Sequence, residues 1–481
     1  MPQSMQLTRR QVLAAPALLS AGSRRPNVLW LMTDEQRPDS LGCYESPWAH
    51  SPNLDALAAE GALFENAYTP SPVCVPCRSS LITGNTASTT GVLHNKARLH
   101  PGAVPLTWRF EEAGYQTATF GKKHFFLSGK RPAFQTEAGL ITDEFVAPES
   151  YRKDLNPADF GVLRFDPLPS QKEKRHWILA GRFPADEDQT AEARNIALAI
   201  DWLSRRDETK PFFLRVSFNA PHTPVVCPER CLPLIDPEKM DIPVPTEEEL
   251  AGQPKRESLL LRGFQGTQRL SAAQLRQARH YYYARVSFAD AMFGRLLGWM
   301  RRRRLLDNTI VVFTSDHGAH LGDHGMLQKQ TFYEQVATVP CFFWGSGRVP
   351  PGLRFATPVN TLGLLPTLLE LAGLPHDGVE GQSLAEEVST GTEPVFQPVF
   401  SEIAFGYQGY RDADRQVMIR DGRYKMSLFP DGGDPDGALY DLQMDPGETR
   451  NLYAEPESRE IAVQLRRQIG DWDRRRQRPA L

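Results

Sequence analysis

The apolar and polar positions fall into runs of two alternating kinds. Asn27-Val28-Leu29-Trp30-Leu31-Met32-Thr33 is almost continuously apolar and ends at Asp34, as a strand covered on both faces does. Ser51-Pro52 offers an N-cap and an N1 proline for a short helix over 53–60, stopped by Gly61. Another helix is expected over 106–113, ended by Gly114, and a strand over 116–120. After Thr190, the residues Ala193, Ile196, Ala197, Ile200 and Leu203 share one helical face. A strand over 212–218 follows, Ser271 caps a long helix reaching about Arg304, and the β-branched stretch 309–314 is again a strand. The polar, proline-bearing stretch near 241–256 is expected to be loop. Residues 127–188 show no period and are rich in Pro, Arg and Phe, the mark of a long surface excursion.

This alternation predicts an α/β fold, a mostly parallel sheet covered by helices on both faces. The chain end differs in character. Runs over 416–420 and 423–428 flank Asp421-Gly422, a hairpin signal; 439–442 is a further strand, and Pro456 opens a last helix. A main domain over 24–375 and a smaller α+β domain over 376–481 are therefore expected.

Composition narrows the function. The 481 residues carry 55 Lys+Arg against 58 Asp+Glu, a net charge of −3, which argues against a dedicated nucleic-acid binder. The 41% hydrophobic share excludes a disordered chain. Six cysteines do not make a disulfide scaffold in this length. No apolar run reaches the roughly 20 residues of an integral membrane segment. Within residues 1–23, Arg9-Arg10 precedes a mildly apolar stretch and the small residues Ser20-Ala21-Gly22-Ser23, which suits a twin-arginine export signal and a periplasmic or extracellular location. Without a working signal the protein is cytoplasmic.

Three strand ends deliver acids or histidine: Asp34-Glu35, His222, and Asp316-His317. Ligands bind at the carboxyl ends of parallel strands, and oxygen-rich clusters there suit a hard dication. Asp34 alone reads equally well as a helix cap. By spacing, Cys74-x-x-Cys77 fits a redox dithiol or half a zinc site.

The order Cys74-Val75-Pro76-Cys77-Arg78, continued by Ser79-Ser80-Leu81-Ile82-Thr83-Gly84, resembles the signature of the sulfatase family, in which the cysteine is oxidised to Cα-formylglycine. Further stations agree: Asn27 to Gln36, Gly121-Lys122-Lys123-His124, Pro221-His222-Thr223-Pro224, Thr314-Ser315-Asp316-His317-Gly318, and Lys329 with Tyr333-Glu334. Leu364 to Leu369 and Leu439 to Leu452 extend the likeness to about 27–452.

The resemblance implies an alkaline phosphatase-like fold and hydrolysis of an organic sulfate monoester on a small molecule or, preferably, a saccharide. It implies one divalent metal, calcium before manganese, magnesium or zinc, on Asp34, Glu35, Cys74, Asp316 and His317, and a formylglycine-generating maturation enzyme as partner. A hydrated aldehyde at Cys74 has two hydroxyls, one to attack sulfur and one to expel sulfate. Arg78 would hold the hydrate, Lys122 and Lys329 the sulfate oxygens. His222 with Lys329 would protonate the leaving alcohol, and His124 would take the second hydroxyl's proton. Glu35 and His317 depart from the commoner family residues, and Cys77 fills a slot for a small residue. His94, Lys96 and Arg98, with His100, form a basic cluster suited to a second anionic group of the substrate. Phe125, Phe126, Phe134 and His176 are expected to wall the substrate. The same site fits a phosphonate monoester hydrolase or phosphodiesterase. A catalytically silent sulfated-sugar binding protein would keep its thiol.

Overall fold

The computed structural model describes residues 24–141, 163–165, 177–183, 185–260, 266–404, 415–428 and 437–475. The expected export signal and His176 lie outside these residues. Among them, no helix is long and apolar enough to cross a membrane.

An eight-stranded sheet forms the centre, in the spatial order Leu353–Phe355, Ala62–Phe64, Cys341–Gly345, Thr309–Ser315, Asn27–Asp34, Phe212–Pro221, Gln116–Gly121 and Thr136–Ala138. Only Cys341–Gly345 runs against the others. The strand Asn27–Asp34 lies mid-sheet, and its alternate residues enter two separate cores. Leu29 and Leu31 join the cluster beneath the long helix Ala272–Arg302, while Val28, Trp30 and Met32 join that beneath the helices Cys74–Thr83 and Leu364–Leu371. Burial on both faces explains its uninterrupted apolar run.

Ser271 and Gln274 form the capping box of the long helix. Ser51 stands at its expected position, but its hydroxyl bonds Asp55 and receives the Gly42 amide, so it does not cap the helix Pro52–Ala59. That task falls to Asp290, which accepts the Leu54 amide at 2.7 Å and the Asn53 amide at 3.3 Å. Ala197 is exposed, and Ala199 takes its place in the core. The stretch near 241–256 is not all loop: helices form over Glu247–Gly252 and from Lys255, the first capped by Thr246 through the Glu249 amide. The excursion after 127 contributes Thr136–Ala138 to the sheet edge.

Near the chain end, Val399–Ala404, Arg415–Asp421, Tyr424–Leu428 and Ala438–Asp441 make an antiparallel sheet, with Gly422 at φ 57° in the hairpin turn. Leu465, Ile469 and Trp472 of the last helix, Arg459–Arg474, cover it. Buried Lys425 ties this sheet to the rest through Glu334 at 2.6 Å and Glu448 at 2.5 Å.

Candidate active site

Adjacent strand ends converge on one point. The pairing of Thr33 with Ser315 brings Asp34 beside Asp316 and His317. On the other side, Phe212–Pro221 presents Ser217 and Asn219 and leads into His222, while Gln116–Gly121 leads into Lys122. Cys74 opens a ten-residue helix, all of it buried. The positive end of that helix favours an anion at this position.

Sγ of Cys74 lies 3.3 Å from Nε2 of His317, 3.7 Å from Oδ1 of Asp34 and 3.2 Å from Nζ of Lys329. Ligand atoms of Asp34, Cys74, Asp316 and His317 all fall within 4.8 Å of one another. Two carboxylates, an imidazole and a fourth donor, all buried, make a set suited to a divalent cation, and an oxygen at position 74 in place of sulfur would harden it further. Glu35, expected among the ligands, stands outside this group. Its backbone turns through φ 61° and its carboxylate pairs with Lys329 at 2.6 Å and receives the Thr223 amide at 3.3 Å.

Arg78 donates to Asp34 at 2.8 Å and Asp316 at 2.7 Å, and its other N–H groups go to Ser217 and the carbonyls of Thr33 and Lys122. A guanidinium has five donors, so none remains for a hydrate at position 74. Arg78 fixes the two carboxylates instead. Lys122 contacts Asp34 at 2.7 Å and donates to Asn219 at 2.9 Å. Nε2 of His222 is 3.9 Å from Asp34 and Nδ1 is 3.8 Å from Glu35. His124, at φ 47°, leans on Phe126 with a buried Nδ1 that has no hydrogen-bond partner among the described residues.

Burial opposes charge here, and the close pairing decides which charges persist. Burial would raise Asp34, but Lys122, Arg78, His222 and Lys329 outweigh it and hold the carboxyl well below the usual range. Burial and Asp34 disfavour a thiolate at Cys74, yet Lys329, Lys122 and His317 bring the thiol well below its ordinary value. For Asp316 burial wins over Arg78 and the carboxyl shifts upward. Burial lowers His317, but chiefly Asp316 lifts it to about 9. Cys77 donates to the Asp316 carbonyl at 3.0 Å, a supporting contact under the site.

The basic loop after the signature is docked by Asn95, whose Oδ1 accepts the Val75 amide at 3.0 Å. Lys96 and Arg98 are exposed, His94 and His100 half-buried, and the Arg98 guanidinium lies 5.8 Å from the Phe126 ring. The aromatic wall is not formed as expected. Phe125 and Phe134 are core residues, Phe134 packing on Phe213 at 5.6 Å, and of the described members only Phe126 is exposed. Sequence reasoning passed over Asn95, Ser217 and Asn219. The alternation of polar residues at the end of the strand Phe212–Pro221 was the available signal for the last two.

The Sulfatase family pattern matches residues 26–374. The chain belongs to the sulfatase family. Residues 322–475 of this sulfatase also match the N-sulphoglucosamine sulphohydrolase C-terminal pattern. A choline-sulfatase of Rhizobium meliloti is 31% identical over 458 residues, spanning 90% of this chain and 83% of its own length. An arylsulfatase of Clostridium perfringens is 27% identical over 483 residues, spanning 92% and 93%. Like these relatives, the sulfatase described here is a sulfuric ester hydrolase. The crystal structure of the phosphonate monoester hydrolase of Agrobacterium radiobacter superimposes with a TM-score of 0.78 at 23% identity, over 93% of this chain and 95% of the other. A structure in complex with its substrate D-glucosamine-2-N,6-O-disulfate gives 0.72 at 22% identity, over 93% and 98%. These likenesses establish the alkaline phosphatase-like fold.

Proposed function

We propose that this sulfatase hydrolyses a sulfate monoester carried on a carbohydrate, with Cys74 matured to formylglycine and one divalent cation, calcium. The observation that carries this reading is the convergence of Lys329, His317 and Asp34 on the Cys74 side chain. Asp34, Asp316, His317 and position 74 would hold the cation, which supplies positive charge for the nucleophile and a sulfate oxygen. Arg78 keeps the carboxylates aimed. Lys122 and Lys329 bind sulfate oxygens, and Glu35 holds Lys329 charged and in place. His222 gives the leaving alcohol its proton, and His124 removes the proton that frees sulfate. The burial of Cys74, 2% exposed, favours a maturation enzyme that acts before folding is complete. Export through the twin-arginine route, which carries folded proteins, accords with that order.

The carbohydrate assignment draws on the C-terminal family match, the disulfated glucosamine of one structural relative and the exposed Lys96, Arg98 and Phe126 beside the site. Tryptic mass spectrometry of the Cys74 peptide from the native host tests the nucleophile; a persistent thiol would leave a silent binding protein. Kinetics on 4-nitrophenyl sulfate, phenyl 4-nitrophenylphosphonate and defined sulfated saccharides test the substrate. Preference for the phosphorus ester would overturn sulfate as the natural group.

A further inference from the structure

Arg215 follows the apolar run Phe212-Phe213-Leu214 in its strand, in register with Trp30 on one side and Thr119 on the other, and is 1% exposed. Its guanidinium donates to the Lys122 carbonyl at 3.0 Å, to Thr119 Oγ1 at 3.2 Å and to Met32 Sδ at 3.2 Å, and it stands 5.1 Å from the Trp30 ring and 5.6 Å from the Phe125 ring. Its Nε is buried and has no hydrogen-bond partner among the described residues. Among the described residues, no carboxylate forms an ion pair with it. Arg78, which donates to the same Lys122 carbonyl at 3.3 Å, is by contrast neutralised by Asp34 and Asp316.

Burying a cation without a counter-charge is costly, and a methionine would fill this apolar position without that cost. The charge serves what it touches. The Lys122 backbone is held through both of its peptide groups: its N–H donates to the Ser217 carbonyl at 2.8 Å, and its carbonyl receives two guanidiniums. Gly121 precedes it at φ 91°, where a Cβ would come within 2.1 Å of the Ser217 oxygen, so this backbone has no latitude. The Lys122 ammonium thus starts from a fixed point beside Asp34.

We propose that Arg215 is a positioning residue for anion binding: it fixes the backbone from which Lys122 reaches the sulfate and places behind it a positive charge that no ion pair takes up. The inference rests on the functional reading above.

The test compares R215M and R215K with the wild type, each matured and metal-loaded, by thermal melting, by calorimetric binding of inorganic sulfate and by kcat/KM on 4-nitrophenyl sulfate. R215M should melt at or above the wild-type midpoint, since a buried unpaired charge is gone. It should bind sulfate about tenfold more weakly and lose at least as much in kcat/KM, the scale expected for a fixed charge behind a binding group. R215K should recover part of both losses. Unchanged sulfate binding in R215M overturns the proposal, as does weakened binding that accompanies a lower melting midpoint and is shared equally by R215K. If the wild type binds sulfate but turns over no sulfate ester, the functional reading fails and the binding and melting results alone decide the role of Arg215.

Discussion

The ammonium of Lys329 stands 3.2 Å from the sulfur of Cys74, although 255 residues separate them in the chain. The segments that carry them meet where the Gln330 amide donates to the Pro72 carbonyl at 3.3 Å. Replacing Cys74 by alanine should therefore abolish turnover and leave the fold intact, because Lys329 retains Glu35 and His317 retains Asp316. Steady-state assays and circular dichroism check this; residual activity near the wild-type level would refute the assigned nucleophile.

Glu35→Gln should lower kcat/KM by about 10²-fold, the loss typical of one preorganised electrostatic contact. Lys329 loses its 2.6 Å partner while the four-donor group of Asp34, Cys74, Asp316 and His317 keeps every member. Metal content measured on the purified variant should match the wild type. A variant that loses its metal would instead make Glu35 a ligand.

Chelation should abolish activity, and calcium should restore it. Because a cation bound only by the folded chain stabilises it by about 2.7 kcal/mol at a hundredfold excess over Kd, the melting midpoint should fall on chelation and return on refilling. Constancy of both would dismiss the cation.

Burial raises the carboxyl of Asp290 to about 6, against the amides of Asn53 and Leu54 that favour its ionised form. A raised folded value means that its contribution to stability is fully present below about pH 4 and is lost as pH rises through 6. The stability of the wild type relative to Asp290→Asn should accordingly decline across pH 4–6, by a few kcal/mol for a shift of about two units, and level off above. Urea unfolding of both proteins across this range provides the measurement; a flat difference would contradict the assignment.

Lys425→Met should destabilise the protein by about 3–5 kcal/mol, the cost of stranding buried carboxylates when their partner is removed. Glu448 is fully buried and Glu334 also receives the Tyr68 hydroxyl. Denaturant melts would show the loss, and an unchanged midpoint would mean that water replaces the lysine.

The strands Asn27–Asp34, Gln116–Gly121, Phe212–Pro221 and Thr309–Ser315 and the main motif stations were legible because their signals are local. A strand buried on both faces must be apolar throughout, and Asn27–Asp34 is. Partnership was not legible. Ser51 looks like a cap, but Asp290, from a helix more than two hundred residues away, supplies the amide bonds. Arg78 belongs to the signature, yet only its neighbours in space reveal that every donor is engaged. Glu35 follows Asp34 in sequence, but its backbone turns through a positive φ and its carboxylate pairs with Lys329 rather than joining Asp34 in the four-donor group. Phe134 falls in a stretch without period and Phe125 just before it, so nothing in the sequence distinguished core from rim. The helix Glu247–Gly252 did announce itself, in Thr246 and Glu249, but nearby prolines obscured it.

Asn95 pins the loop that carries Lys96 and Arg98 to the first turn of the helix bearing Cys74. That contact joins the basic loop, where the proposed function puts a second anionic group of the substrate, to the helix of the reactive residue. Under the proposed function, exchanging the exposed Lys96 or Arg98 would alter which ester is preferred while the buried groups around Cys74 stay in place.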